Sequence, residues 1–131
     1  MNRETILAAL AARLSAKRAP WPEIPKLTPG QVLTVVAEGP ERVIAREYGI
    51  ATVEMETEIR RAARTANDAA RATAANLLLD QLVTETYSAD PTLGGTCLGM
   101  RYAEGDTIFP SDGTDLVAAV ALFVIEYERA E

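Results

Sequence analysis

Apolar and polar residues alternate most regularly between positions 51 and 60. One face of an extended chain would carry apolar or small side chains, namely Ala51, Val53, Met55, Thr57 and Ile59. The opposite face would carry polar ones, namely Thr52, Glu54, Glu56, Glu58 and Arg60. This period of two predicts a β-strand with one buried face and one solvated face.

Helical spacing marks two other segments. A helix is predicted over residues 1–17, capped by Asn2 or Thr5, because one apolar stripe runs through Ile6, Leu7, Leu10 and Leu14. A second helix is predicted over residues 65–88, where Thr65 and Asp68 resemble a capping box. Its apolar face would consist of Ala72, Ala75, Leu78, Leu79, Leu82 and Val83.

Three further segments favour strands. Residues 31–38 are rich in β-branched side chains and predict an interior strand that Gly39-Pro40 breaks. Residues 41–48 fit either a short strand or an irregular loop. Residues 96–104 predict a strand, and residues 105–115 a polar loop. The last strand is apolar on both faces from Leu116 until Glu126, so it is expected to be central or covered by a partner.

The remaining segment, residues 16–30, holds four of the seven prolines and predicts an extended connector. Trp21 is expected to pack this connector against the body of the domain, with an interface or stacking contact as the alternative. Strands are therefore predicted over 31–61 and 96–128, with few helices between neighbouring strands. This order favours a single α+β domain over 1–131. We expect a mainly antiparallel four- to five-stranded sheet with the two helices packed on one face.

Charge and composition exclude several functional classes. Thirteen basic against nineteen acidic residues give a net charge of -6, which argues against wrapping nucleic acid or docking on anionic membranes. A single cysteine, Cys97, and no histidine exclude the usual structural zinc sites. The longest apolar run is too short to span a bilayer, and no signal-peptide pattern follows the first residues. The sequence therefore predicts a cytoplasmic site of synthesis and no membrane contact.

No catalytic template is complete. Without histidine there is no Ser-His or Cys-His pair, and Cys97 lies in a strand pattern as a small apolar residue. Gly94-Gly95 follows a helix and precedes a strand, which is the reverse of a phosphate-binding turn. The acidic residues of the 105–115 loop do not have calcium-loop spacing. We therefore predict no catalytic residue, no cofactor and no metal.

The row Glu54, Glu56 and Glu58 is the main candidate for chemistry. Alternate side chains of a strand lie about 6–7 Å apart on one face. Such a row suits a divalent cation or a pair of carboxylates for acid-base work. It also suits an acidic surface in an oligomer. A solvated strand face beside Arg60 is the simplest interpretation of the pattern.

Two motifs carry a family resemblance. The first is the corner Asp90-Pro91-Thr92-Leu93-Gly94-Gly95, which follows an Ala/Leu-rich helix. The second is the alternating terminal pattern of Phe123, Ile125, Tyr127 and Arg129. With the N-terminal helix and the proline-bearing connector, they resemble the small tail-terminator and tail-completion proteins of long-tailed bacteriophages and prophages.

The resemblance implies a structural role without catalysis. Tail terminators form a hexameric ring that caps the tail tube, contacts the tube protein and the head connector, and lets DNA pass without specific binding. Glu54, Glu56 and Glu58 would line the channel or an interface, and Ile108 and Phe109 would anchor a neighbour or pack on their own core. The location would be the virion tail, assembled in the bacterial cytoplasm. Alternatives are another neck or head-completion protein, or a small ligand-binding or enzymatic α+β domain.

Overall fold

The computed structural model describes residues 1–18, 31–64, 70–108 and 116–131. In chain order these residues form α1 (Arg3–Leu14), β1 (Lys17–Arg18), β2 (Val32–Glu47), β3 (Ile50–Arg64), α2 (Arg71–Tyr87), β4 (Gly99–Ile108) and β5 (Leu116–Ala130). The connector with Trp21, the proposed capping pair Thr65 and Asp68, and Phe109 lie outside the described residues.

The strands form one five-stranded sheet in the order β1-β2-β3-β5-β4. β1 pairs parallel with β2, whereas the β2–β3, β3–β5 and β4–β5 pairs are antiparallel. The sheet is therefore mixed, and the chain has an α+β fold. Among the described strands, only β1 breaks the antiparallel pattern. The prediction of a helix up to residue 17 is wrong at its end, because Lys17 and Arg18 form β1 within the predicted connector.

The predicted first helix is present as α1. The side-chain oxygen of Asn2 accepts hydrogen bonds from the backbone N–H groups of Glu4 (2.8 Å) and Thr5 (3.3 Å), so Asn2 is the N-cap. All four residues of the predicted stripe are buried. The helix ends at Ser15, which has a left-handed backbone (φ 50°) and donates its N–H to carbonyls of the last turn.

The predicted break at Gly39-Pro40 is wrong. β2 continues to Glu47, and its pairing with β3 shifts register between Glu38 and Glu41. The bulge accommodates Pro40, which has no backbone N–H to donate to the ladder. Gly39 is needed there, because a Cβ at this position would lie 2.6 Å from a backbone oxygen of β3. The segment 41–48 is thus a strand up to the turn at Tyr48-Gly49, where both φ angles are positive.

The alternation of β3 is confirmed, and β5 is central, lying between β3 and β4. One face of β5 is entirely buried through Val117, Ala119, Ala121, Phe123, Ile125 and Tyr127. These residues join one core cluster with the alternate residues of β3 and with buried residues of both helices: Ile6, Leu7, Leu10, Leu14, Ala75, Leu78 and Leu82.

The second helix differs from its prediction at its start. α2 begins at Arg71, and its N-cap residue, Ala70, makes no side-chain capping hydrogen bond. Of the predicted apolar face, Ala72 is exposed, whereas Leu79 and Val83 pack half-buried against the core. Thr86 is buried instead, and its hydroxyl donates to the carbonyl of Leu82 (2.7 Å).

The Asp-Pro-x-Leu-Gly-Gly corner is held by its first residue. The Asp90 carboxylate accepts from the Thr92 hydroxyl (2.6 Å) and from the backbone N–H groups of Thr92 (3.0 Å) and Gly94 (2.8 Å). These bonds, led by the Thr92 hydroxyl, lower the pKa of Asp90 to about 2. Leu93 is buried despite a positive φ of 50°. The motif therefore orders a turn between α2 and β4.

β4 begins and ends further along the chain than predicted. The strand expected over 96–104 begins at Gly99 and continues to Ile108, so the first residues of the expected polar loop belong to the sheet. Cys97 precedes β4, is buried, and donates its thiol to the carbonyl of Pro91 (3.6 Å). Burial raises the pKa of this thiol. The extension of β4 brings Asp106 onto the sheet, two residues after Glu104.

Candidate interaction surface

The face of β3, β5 and β4 opposite the core cluster carries most of the candidate residues. In register, Glu56 lies opposite Val124 of β5, and Glu58 lies opposite Leu122. From the other side, Glu104 of β4 pairs with Leu122 and Asp106 with Val120. We call this surface the acidic face, defined by Glu54, Glu56, Glu58, Arg101, Glu104, Asp106, Val120, Leu122 and Val124.

The three glutamates predicted to act as a row have different surroundings. Glu54 accepts hydrogen bonds from Arg101 (3.2 Å) and Arg42 (3.4 Å), and its side chain is only 14% exposed. The hydrogen bond from Arg101 is the main cause that lowers the pKa of Glu54. The carboxylate is thus ionised and locally neutralised by two cations.

Glu58 and Glu56 complete the row. The Arg60 guanidinium donates to Glu58 over 2.6 Å along the same strand, so this carboxylate also has a cationic neighbour. Glu56 is exposed, and no described residue forms an ion pair with it. In the ranges that the structure describes, no cluster of three or more acidic or thiol side chains has an arrangement that would hold a metal ion.

A groove of about 470 Å³ lies at the centre of the acidic face. Its floor is Val120 and Leu122, both half-buried, and its rim is formed by Glu56, Glu58, Glu104, Gly105 and Asp106. Asp106 was missed in the sequence because a polar loop was expected there, and Glu104 was the last residue of the predicted strand but was not singled out. The alternation of Glu104 and Asp106 with Ala103 and Gly105 was too weak a signal to reveal the strand.

Ile108 and Phe109 were the other predicted contact residues. Ile108 ends β4 opposite Ala118 and is exposed, so it lies on the same side of the sheet as the groove. Phe109 lies beyond the described part of the chain. Ile108 therefore shares a sheet face with the acidic row, but it is not one of the residues that line the groove.

A second exposed feature is the end of the β2–β3 hairpin, residues 42–50, which we call the hairpin tip. Every residue of the tip is exposed, and Tyr48 in the turn is 96% exposed. Three other large apolar residues, Val43, Ile44 and Ile50, are exposed beside it. Arg46 of the tip pairs with Glu131 (2.9 Å). Sequence reasoning missed this feature because it left residues 41–48 undecided between strand and loop.

The terminal pattern that carried part of the family resemblance has a structural explanation. Arg129 donates to both carboxylate oxygens of Glu41 (2.7 and 2.8 Å), and the Tyr127 hydroxyl donates to the same carboxylate. Arg3 of α1 adds a bond to Glu41 (3.4 Å) and one to the carbonyl of Gly39 (2.7 Å). This cluster connects the end of β5 with the bulge of β2 and the start of α1.

The charges in this cluster shift its pKa values. The hydrogen bonds from Arg129 and then Tyr127 lower the pKa of Glu41 to about 2. Burial, followed by the bond to Glu41, raises the pKa of Tyr127. The arrangement is a bidentate ion pair with a phenol attached. We interpret it as a structural contact.

No model of a known protein family matches the chain, and no curated protein matches it. Of the helices in the described ranges, neither combines the length and the apolar character that crossing a membrane requires.

Proposed function

We propose that this protein is a structural, non-catalytic tail protein of a long-tailed bacteriophage or prophage, namely a tail terminator. Subunits would form a hexameric ring that caps the tail tube and joins it to the head. The observation that carries the proposal is the acidic face, where half-buried Val120 and Leu122 lie uncovered within a polar rim. In this proposal the sheet is mainly antiparallel and both helices pack on its other face, which leaves the acidic face for assembly.

Surface composition and open strand edges support assembly. An apolar centre with a polar rim is typical of protein–protein interfaces. Among the described residues, β4 pairs only with β5, and β2 beyond Val36 pairs only with β3. Such unpaired edges are surfaces that another chain can cover. Ile108, with Phe109 after it, would contribute an apolar contact at the β4 edge.

The charge of the subunit suits a channel through which DNA moves. A net charge of -6 disfavours binding of phosphates, so DNA would pass without specific contacts. Because Glu54 and Glu58 already have arginine neighbours, only Glu56 of the row offers an unpaired charge among described residues. This supports an interface position for the row over a channel lining. The partners would be the tail tube protein and the head connector, with no cofactor and no membrane.

Deletion of the gene from the phage or prophage that carries it tests this proposal. A terminator stops growth of the tail tube, so electron microscopy of the deletion should show tails of irregular, excessive length without heads. Normal infectious particles would refute a tail function. Tails of normal length that fail to join heads would instead indicate a neck protein acting at a different joint.

A further inference from the structure

We propose that the hairpin tip of one copy of this chain docks into the acidic groove of a second copy, with Tyr48 on the apolar floor and Arg46 at the acidic rim. The contact is head-to-tail, because the two surfaces are different parts of the molecule. The choice of a second copy as the partner rests on the ring proposed above.

Among the described residues, no cation pairs with the carboxylates on the β4 side of the groove. Glu58 has Arg60 beside it, but Glu56, Glu104 and Asp106 form no ion pair with any described residue. Asp106 accepts from the N–H of the adjacent Thr107 (2.8 Å) and from no other described residue. Carboxylates at the rim of an apolar floor are covered at low cost only by a partner that brings positive charge or hydrogen-bond donors. The floor itself requires an apolar side chain from that partner.

The hairpin tip supplies both kinds of group. Tyr48 projects almost fully into solvent, with Val43 and Ile44 exposed on the same hairpin. Arg42 and Arg46 are the cations of residues 42–50, and Glu47 is their one acid. Tyrosine and arginine are among the residues most enriched at the positions that dominate binding energy. The pair between Arg46 and Glu131 is largely solvent-exposed, so exchanging it for a rim carboxylate costs little.

A single molecule cannot make this contact. The tip and the groove belong to the same sheet, and β3 pairs with β2 up to Glu47 and Ile50. Glu56 and Glu58 lie six and eight positions after Ile50 in β3, which is about 20–26 Å along the strand. The tip therefore has to reach the groove of another copy. Repetition of such a contact gives a closed ring if the rotation closes, and an open chain if it does not.

Reciprocal charge reversal tests the contact. Self-association of the full chain is measured by sedimentation velocity and native mass spectrometry. Arg46→Glu and Glu104→Arg should each weaken it by at least about tenfold, because each places like charges in contact. The double variant should recover most of the affinity. Asp80→Arg, a matched charge reversal on the exposed side of α2, should leave self-association unchanged.

Removal of the Tyr48 side chain tests the contact with the apolar floor of the groove. Tyr48→Ala should weaken self-association by about tenfold or more, whereas Leu77→Ala, which removes an exposed apolar side chain from α2, should not. All these positions are exposed, so circular dichroism should show unchanged folding. If the chain self-associates but the tip and groove variants behave like their controls, the inference is wrong, whereas the proposal of a ring is not contradicted. A wild-type chain that stays monomeric also overturns the inference, and the deletion phenotype then decides the proposed function separately.

Discussion

Replacing Glu41 with glutamine removes the negative charge at the centre of the cluster formed by Arg129, Tyr127 and Arg3. The pKa of Glu41 is lowered from 4.5 to about 2, a difference of roughly 2.5 pH units. At 1.36 kcal/mol per unit, this corresponds to about 3 kcal/mol of native-state stabilisation. The Glu41 side chain is 22% exposed, and the Arg129 side chain is 44% exposed. Because solvent screens the charges, we expect about 1–2 kcal/mol.

The effect has a defined pH window. A group whose pKa is lowered by folding stabilises the native state above its unfolded pKa, and this contribution is lost as pH falls through the folded pKa. Glu41→Gln should therefore destabilise the protein by the full amount at pH 7. The difference from the wild type should decline between pH 4.5 and about 2 and be smallest below that range.

Urea denaturation of both proteins at a series of pH values measures this difference. Glu47→Gln is the matched control, because Glu47 is an exposed glutamate of the same strand with no described ion pair. The control should differ from the wild type by less than about 0.5 kcal/mol at every pH. A Glu41→Gln difference that does not change with pH, or that equals the control, would refute the assignment of the stabilisation to this charge cluster.

Other substitutions test the corner, the bulge and the buried thiol. Arg13 donates to two carbonyls at the end of α2 and to the carbonyl and carboxylate of Asp90. Arg13→Ala should therefore lower the free energy of unfolding by about 1–3 kcal/mol, whereas Arg46→Ala should lower it by less than about 1 kcal/mol in the same thermal unfolding assay. Gly39→Ala should lower the free energy of unfolding by about 1–3 kcal/mol, because the added Cβ would collide with the backbone of β3. Gly99→Ala places its Cβ in open space and should lower the free energy of unfolding clearly less in the same assay. Cys97 should react with a thiol reagent far more slowly in native protein than in denaturant, and equal rates would contradict its burial.

The sequence by itself determined the elements whose pattern is local. The stripe of α1, the alternation of β3 and the doubly apolar β5 all appear in the structure. Each depends on which residues face the core, and core-facing residues recur every two to four positions along the chain. The sequence also placed Glu54, Glu56 and Glu58 on one face of β3, which the structure confirms.

Only the tertiary structure decided the features that depend on pairing between distant segments. β2 continues through Gly39-Pro40 because β3 provides a partner on both sides of a bulge, although local propensity favours a break there. β4 extends to Ile108 because β5 pairs with polar residues that alone would favour a loop.

The groove depends on long-range pairing in the same way. Its walls come from β3, β4 and β5, and the registers of those pairs bring Glu104 and Asp106 to the same floor as Glu56. The ion pairs of Glu54 also depend on long-range strand pairing, because Arg42 comes from β2 and Arg101 from β4. Side-chain period is a local property of a chain, whereas register is set by all the strands that share a core.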